Sequence, residues 1–296
     1  MLKQKYFLTG IFILSAERQP IKLAWRKIVW LQKKKTFPET KAWQIFDGKV
    51  RNLKLHLQLL DASLKISQTI CGNNKNKSYT IGKALNTDEN KHPQLNVPCE
   101  NIDISRTFTS SRIKLNEQAI IDLYRYFANY VTNIIEEFVR TDPMPLLNSI
   151  AGNKDNTLPF DDILKAGSFD VVIKEMSKKI YRRLENERST PTLLNKIISY
   201  TKIDIDEDLK NKALIYLQIR HSIIHDESKA DNVFKEMNNG LVTIKKGDKI
   251  ALNYDLTNNA ITTIFNFCKS IDNKLIEKDM VCKRFIEYPE VAPTPI

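Results

Sequence analysis

Along most of this chain apolar residues return every three or four positions, the period at which one face of a helix repeats. From about Trp43 to Ile70, Leu53, Leu55, Leu59, Leu60 and Leu64 hold roughly one side. The pattern then breaks over Gly72 to Glu100, where Asn, Lys, Gly and Pro crowd together and predict a loop or linker. It resumes with Ile120, Leu123, Tyr124, Phe127, Val131, Ile134, Ile135 and Phe138, a wide stripe that Asn116 can cap and that ends before Asp142-Pro143. Ser168 is placed to cap FDVVIKEMSKKIYRRL, and Pro191 opens TPTLLNKIISY. Asp206, with Glu207 and Asp208 in the first turn, starts a further helix favourably for its dipole. LVTIKKGDKIALN predicts a short hairpin turning at Lys246-Gly247-Asp248. A last helix from Asn258 to about Glu277 places Ile261, Ile264, Phe265, Cys268, Ile271 and Leu275 on one side.

The expected fold is therefore mainly α, a helical bundle with one short β-hairpin, preceded by a basic N-terminal region of mixed or helical structure. A boundary near Ser105 would separate residues 1–105, with the polar linker at 72–105, from a helical domain over 106–287. The tail 288–296, YPEVAPTPI, is expected to be disordered.

One position breaks the apolar pattern. Leu209, Ala213, Tyr216, Arg220 and Ile223 share a helix face, so Arg220 occupies a slot that a core helix would fill with an apolar side chain. Burying a bare guanidinium costs several kcal/mol, so the cation must be paired or used. His225 follows five residues later, about 140° round an ideal helix. The two side chains converge only if the helix distorts, ends there, or meets a second copy of itself.

Composition narrows the classes. With 296 residues and 42% hydrophobic content the chain can bury a substantial core. Cys71, Cys99, Cys268 and Cys282 lie far apart with no CxxC pair, which speaks against a zinc ribbon or redox motif and suits a reducing cytoplasm. Only 8 glycines are present, with neither a phosphate-cradling glycine loop nor a GxSxG elbow, so a nucleotide-binding α/β fold is disfavoured. Met1 to Ala16 imitates a secretory signal, but no small-x-small cleavage site follows and the next residues are strongly basic. No uncharged run is long enough for a membrane span.

The net charge of +11 is unevenly spread: residues 1–115 hold 21 Lys and Arg against 8 Asp and Glu, while residues 116–296 hold 25 against 27. The basic part is thus the candidate polyanion-facing region, with Lys33, Lys34, Lys35 and Arg51 as expected RNA contacts. A solvated lysine-rich surface is the ordinary alternative. Trp25, Trp30 and Trp43, interleaved with lysines, could stack bases but are better read as core.

Histidine can take or give a proton near neutrality and arginine can neutralise phosphate oxygens, which together suffice for RNA cleavage without a metal. In QIRHSIIHDESKADNVF an arginine is followed by a polar residue and, five positions on, by a histidine: Arg220, His221 and His225. Over residues 110–280 the chain resembles the HEPN domains, most nearly the group associated with RiboL-PSP toxins. The resemblance implies an all-α bundle that homodimerises and joins two arginine–histidine pairs in one cleft. It further implies a cytoplasmic, metal-independent endoribonuclease of toxin–antitoxin or phage-defence systems, free of cofactors and of membrane, with an antitoxin or other regulatory partner. In that scheme His225 is the acid/base, Arg220 the phosphate clamp and His221 a cleft residue, with Glu136 as an added acid. Family members modified by their antitoxin carry a tyrosine two residues after the histidine; Glu227 stands there in this chain.

Other assignments stay open. RNLKLH, Arg51 to His56, satisfies the same spacing but lies in a basic helix with no polar break, and reads as a solvated or RNA-facing surface. His221 and His225, four apart, have the spacing of two zinc ligands, although Ser222 replaces the glutamate of HExxH and no third ligand is evident. An inactive HEPN module serving as an RNA- or protein-binding adaptor is the remaining alternative.

Overall fold

The computed structural model describes residues 38–73, 79–98, 103–141, 159–186 and 190–281. The chain divides into two units, Glu39–Arg284 and Met1–Pro38 with Phe285–Ile296. Lys33, Lys34, Lys35, Trp25, Trp30, the Met1–Ala16 stretch and the tail 288–296 lie outside the described residues. The unit from Glu39 is mainly helical. Its elements are α1 (Lys41–Gly72), α2 (Ile81–Ala84), a 3-10 turn (Pro93–Asn96), α3 (Ile104–Thr141), α4 (Phe160–Ala166), α5 (Phe169–Asn186), α6 (Thr190–Thr201), α7 (Glu207–His225), α8 (Asn232–Met237) and α9 (Tyr254–Glu277). None of the described helices is long and apolar enough to cross a membrane.

Helix α1 lies chiefly against α3, and α9 packs on α1, α3 and α7. Trp43, Phe46 and Val50 of α1, Phe127, Tyr130 and Ile134 of α3, and Phe267, Cys268 and Ile271 of α9 belong to one buried core. The first helix, expected to stand apart from the bundle across a boundary near Ser105, is therefore part of it, and the compact unit begins at Glu39. Trp43 is core, as expected from the sequence. The buried side of α1 is not the leucine stripe. It runs through Ala42, Trp43, Phe46, Val50, Leu57 and Asp61, while Leu55, Leu59 and Leu60 are exposed. The leucines cover so much of the helix circumference that their spacing alone does not select a face; the large rings near the N-terminus do.

Helix α3 also starts earlier than its apolar stripe. Asp103 caps it, accepting from the Arg106 amide at 2.8 Å. Asn116, expected as the cap, instead sits inside the helix, buried, donating from its amide nitrogen to the Arg112 carbonyl at 2.7 Å. The added turns are mostly polar because they face solvent, with Phe108 buried in a small satellite core with Cys71 and Ile81 and Ile104 packed against it. Asp61, buried on α1, accepts from Arg112 Nε at 2.8 Å and lies 3.5 Å from Lys65 Nζ, which ties α1 to α3.

The start of α1 is pinned to α9. The Thr40 hydroxyl caps α1, accepting from the Trp43 amide at 3.0 Å, and donates to Asp272 Oδ1 at 2.5 Å; the Thr40 amide donates to Asp272 Oδ2 at 3.3 Å. Burial raises the Asp272 carboxyl to about 6, partly offset by the two Thr40 hydrogen bonds. Nearby, the Tyr130 hydroxyl donates to the Cys268 carbonyl at 3.1 Å, and burial drives both this phenol and the Cys268 thiol well above their usual range.

Asn253 caps α9, so that helix begins before the predicted Asn258. The turn at Lys246-Gly247-Asp248 is present: Lys245 N donates to Lys249 O at 2.7 Å and Ala251 N to Thr243 O at 2.9 Å. Gly247 and Asp248 take φ of +79° and +62° there, a pair of left-handed residues that makes the reversal tight. Among the described residues this pairing consists of isolated bridges, with no extended strand.

A candidate active site at the end of α7

Helix α7 carries the arginine and both histidines of the motif. Asp206 caps it, accepting from the Leu209 amide at 2.6 Å, as expected from the sequence. Ala213 to Leu217, Ile219 and Ser222 are buried and Ile223 packs on the core, so one face of α7 is held to its last turn, while His221, Ile224 and His225 on the other side are exposed. At the end of the helix the Asp226 and Ser228 amides both donate to the Ser222 carbonyl, at 3.1 and 2.8 Å. Glu227 and Ser228 adopt left-handed φ of 51° and 64° to make that closure. The loop that follows is fixed to the hairpin turn: Ala230 N donates to Asp248 O at 2.8 Å and Ile250 N to Ser228 O at 2.9 Å.

Arg220 is half-buried, with its guanidinium 4.9 Å from the centroid of the Tyr124 ring on α3. Among the described residues it makes no ion pair and no hydrogen bond. A cation over an aromatic face is attracted by the ring quadrupole but keeps its N–H groups for an acceptor. His221 and His225 are exposed, with ring centroids 4.7 Å apart and planes tilted by 42°. The structure thus brings the two histidines together. Arg220 turns instead toward α3, as expected of residues about 140° apart on a regular helix.

One turn pair earlier on α3, Glu117 shares the face of Tyr124, seven residues and roughly 10 Å away along the axis. Its carboxylate accepts from Ser228 Oγ at 3.0 Å and from Lys114 Nζ at 2.7 Å. Glu117 therefore fastens the loop after α7 to α3. Glu136, the acid expected to join the site, does not lie with it in one chain. It is twelve residues beyond Tyr124, roughly 18 Å along α3 and a third of a turn round it. There it pairs with Arg140 at 3.0 Å, which also reaches Asp170 on α5 at 2.5 Å.

Three groups assemble that spacing alone did not select. His221, Asp226 and Asp231 each bring a donor atom within 4.8 Å of the others. His225 is not in this group, so the histidine pair of the zinc alternative gains no third member; His221 alone lies with the two carboxylates. Asp231 also caps α8, accepting from the Phe234 amide at 2.6 Å through Oδ1. The acidic run after His225 was visible in the sequence, but its fold back toward His221 was not.

Arg51, the expected RNA contact on α1, is exposed and bound through Nε to both Asp47 oxygens, at 2.7 and 2.8 Å. His56, its partner in the second arginine–histidine match, is exposed as well.

No family model, curated protein or solved structure matches this chain.

Proposed function

We propose that the chain is a HEPN-type, metal-independent endoribonuclease of a cytoplasmic toxin–antitoxin or phage-defence system, acting as a homodimer. The observation that carries this is the half-buried Arg220 guanidinium, stacked on Tyr124 and without an acidic partner among the described residues. A structural arginine in an apolar slot needs a carboxylate; one held on a ring with its N–H groups unspent is equipped to take a phosphate. The exposed His221 and His225 sit on the same terminal turns.

In this mechanism His225 removes the proton from a ribose 2′-OH, the 2′-oxygen attacks the adjacent phosphorus, and the 5′-oxygen leaves with a proton returned by an imidazole. Arg220 stabilises the charge gathering on the non-bridging oxygens. His221 lines the cleft. Because Arg220 and His225 diverge within one chain, the arginine facing a given His225 comes from the second subunit. The basic N-terminal region, with Lys33, Lys34 and Lys35, and the exposed Arg51 hold the RNA backbone, and a regulatory partner restrains the activity.

The same divergence favours a second reading, an inactive HEPN module acting as an RNA- or protein-binding adaptor, if no second copy completes the cleft. The deciding experiment is cleavage of total RNA in EDTA with native mass measured alongside. Cleavage by wild type that His225→Ala abolishes while the dimer persists supports the enzyme. RNA binding without cleavage supports the adaptor.

A further inference from the structure

We propose that His221, Asp226 and Asp231 form a binding site for a first-row divalent cation of the manganese-to-zinc series. This goes beyond the ribonuclease assignment and does not depend on it. The three donor atoms lie within 4.8 Å of one another. An ion at the centre of a triangle of that size sits about 2.8 Å from each donor, so contraction by roughly 0.7 Å reaches bonding distance near 2.1 Å. That shift is within reach of side chains at the protein surface: His221 is exposed and the two aspartates are half-buried.

Two features separate this cluster from an ordinary acidic patch. It contains an imidazole, a ligand that selects transition metals over magnesium and calcium. Neither aspartate has a lysine or arginine partner among the described residues, although other carboxylates of the same loop and turn do, Glu227 with Lys229 at 3.5 Å and Asp248 with Lys235 at 2.9 Å. Two partly desolvated carboxylates beside an imidazole, without a counter-ion, leave a concentrated negative field that a dication neutralises. The carbonyl end of the 19-residue α7 adds to the same field. Asp231 spends Oδ1 on the α8 cap and keeps Oδ2 for the metal. The three protein donors leave further coordination positions to water, and the ion would clip the end of α7 to the start of α8.

The test is titration of the full, tag-free chain with Co2+, read by its visible d–d absorption, and with Zn2+, read by calorimetry. One equivalent per chain is expected, weakened at least about tenfold by His221→Ala and by Asp231→Asn. Asparagine keeps the helix cap, so Asp231→Asn separates lost coordination from lost folding. Glu227→Gln, a carboxylate removed from the same loop but outside the cluster, should leave affinity unchanged. Absence of binding, or equal affinity in wild type and Asp231→Asn, overturns the site. No RNA enters the measurement, so failure of the ribonuclease assignment would leave its outcome unaffected.

Discussion

Replacing Arg220 by methionine separates a functional cation from a structural one. Methionine keeps most of the apolar stem and can rest against the Tyr124 ring, so the volume beside α3 stays filled. What is lost is the attraction of the guanidinium for that ring at 4.9 Å, about 0.5 to 1 kcal/mol. Against this stand relief of the half-buried charge and a sulfur–aromatic contact of similar size. The net change in stability should lie within about 1 kcal/mol, a melting shift of no more than roughly 4 °C for a chain of this size. An arginine holding a buried ion pair would behave differently, since breaking such a pair costs about 3 to 5 kcal/mol. RNA cleavage, by contrast, should fall at least about 100-fold, the scale of losing one group that stabilises the transition-state charge. Thermal melting and cleavage of a labelled RNA, measured on the same preparation, give both numbers. A loss of several kcal/mol, or cleavage equal to wild type, would refute the assignment of Arg220 as phosphate clamp.

Three further outcomes follow from the fold. Asp272, raised to about 6 by burial, holds its proton in the folded chain at pH values where the unfolded chain has lost it. Its contribution to stability is therefore complete below about pH 4 and lost as pH rises through 6, by up to about 3 kcal/mol. Asp272→Asn, which keeps an acceptor for Thr40, should remove that slope: in urea unfolding the variant gains on wild type between pH 4 and 7, and a constant difference would contradict it. Asp61→Ala strands the half-buried Arg112 now held at 2.8 Å and should cost roughly 3 kcal/mol in the same assay; a change below 0.5 kcal/mol would show the pair to be dispensable (threshold about the scatter of surface substitutions). Glu227→Gly relieves a side chain at φ of 51° and should stabilise the end of α7 by about 1 kcal/mol, whereas a destabilised variant would mean that the ion pair with Lys229 outweighs the strain.

How far the sequence disclosed all this depends on where each signal resides. Helices were visible wherever an apolar stripe met a local cap: Asp206 before α7 is the clearest case, since both signals lie within a few residues. The polar first turns of α3 carry no stripe, so the helix was read as starting at Asn116 when Asp103 begins it. The place of α1 in the bundle was hidden for a different reason. The Thr40–Asp272 hydrogen bond spans 232 residues, and nothing near either residue announces the other. The same holds at the site. Arg220 stood out because it occupies an apolar slot on its own helix, but Tyr124 looked like one more core position and nothing marked Glu117. Their meeting with the end of α7 depends on how two helices register across the core. Glu136 failed for that reason as well: helix α3 is long enough to carry it away from the arginine.

In the proposed dimer, two copies of this chain bring Arg220 of one subunit to His225 of the other around a shared phosphate. A crystal structure of the protein with a non-cleavable 2′-deoxy RNA analogue tests it most directly, through the separation of the two His225 rings. Both rings within about 10 Å, roughly the reach of hydrogen bonds on either side of one phosphate, with a guanidinium on that phosphate, is the predicted result. A dimer that leaves the two α7 ends on opposite outer surfaces, or a chain that binds the RNA as a monomer, would contradict it.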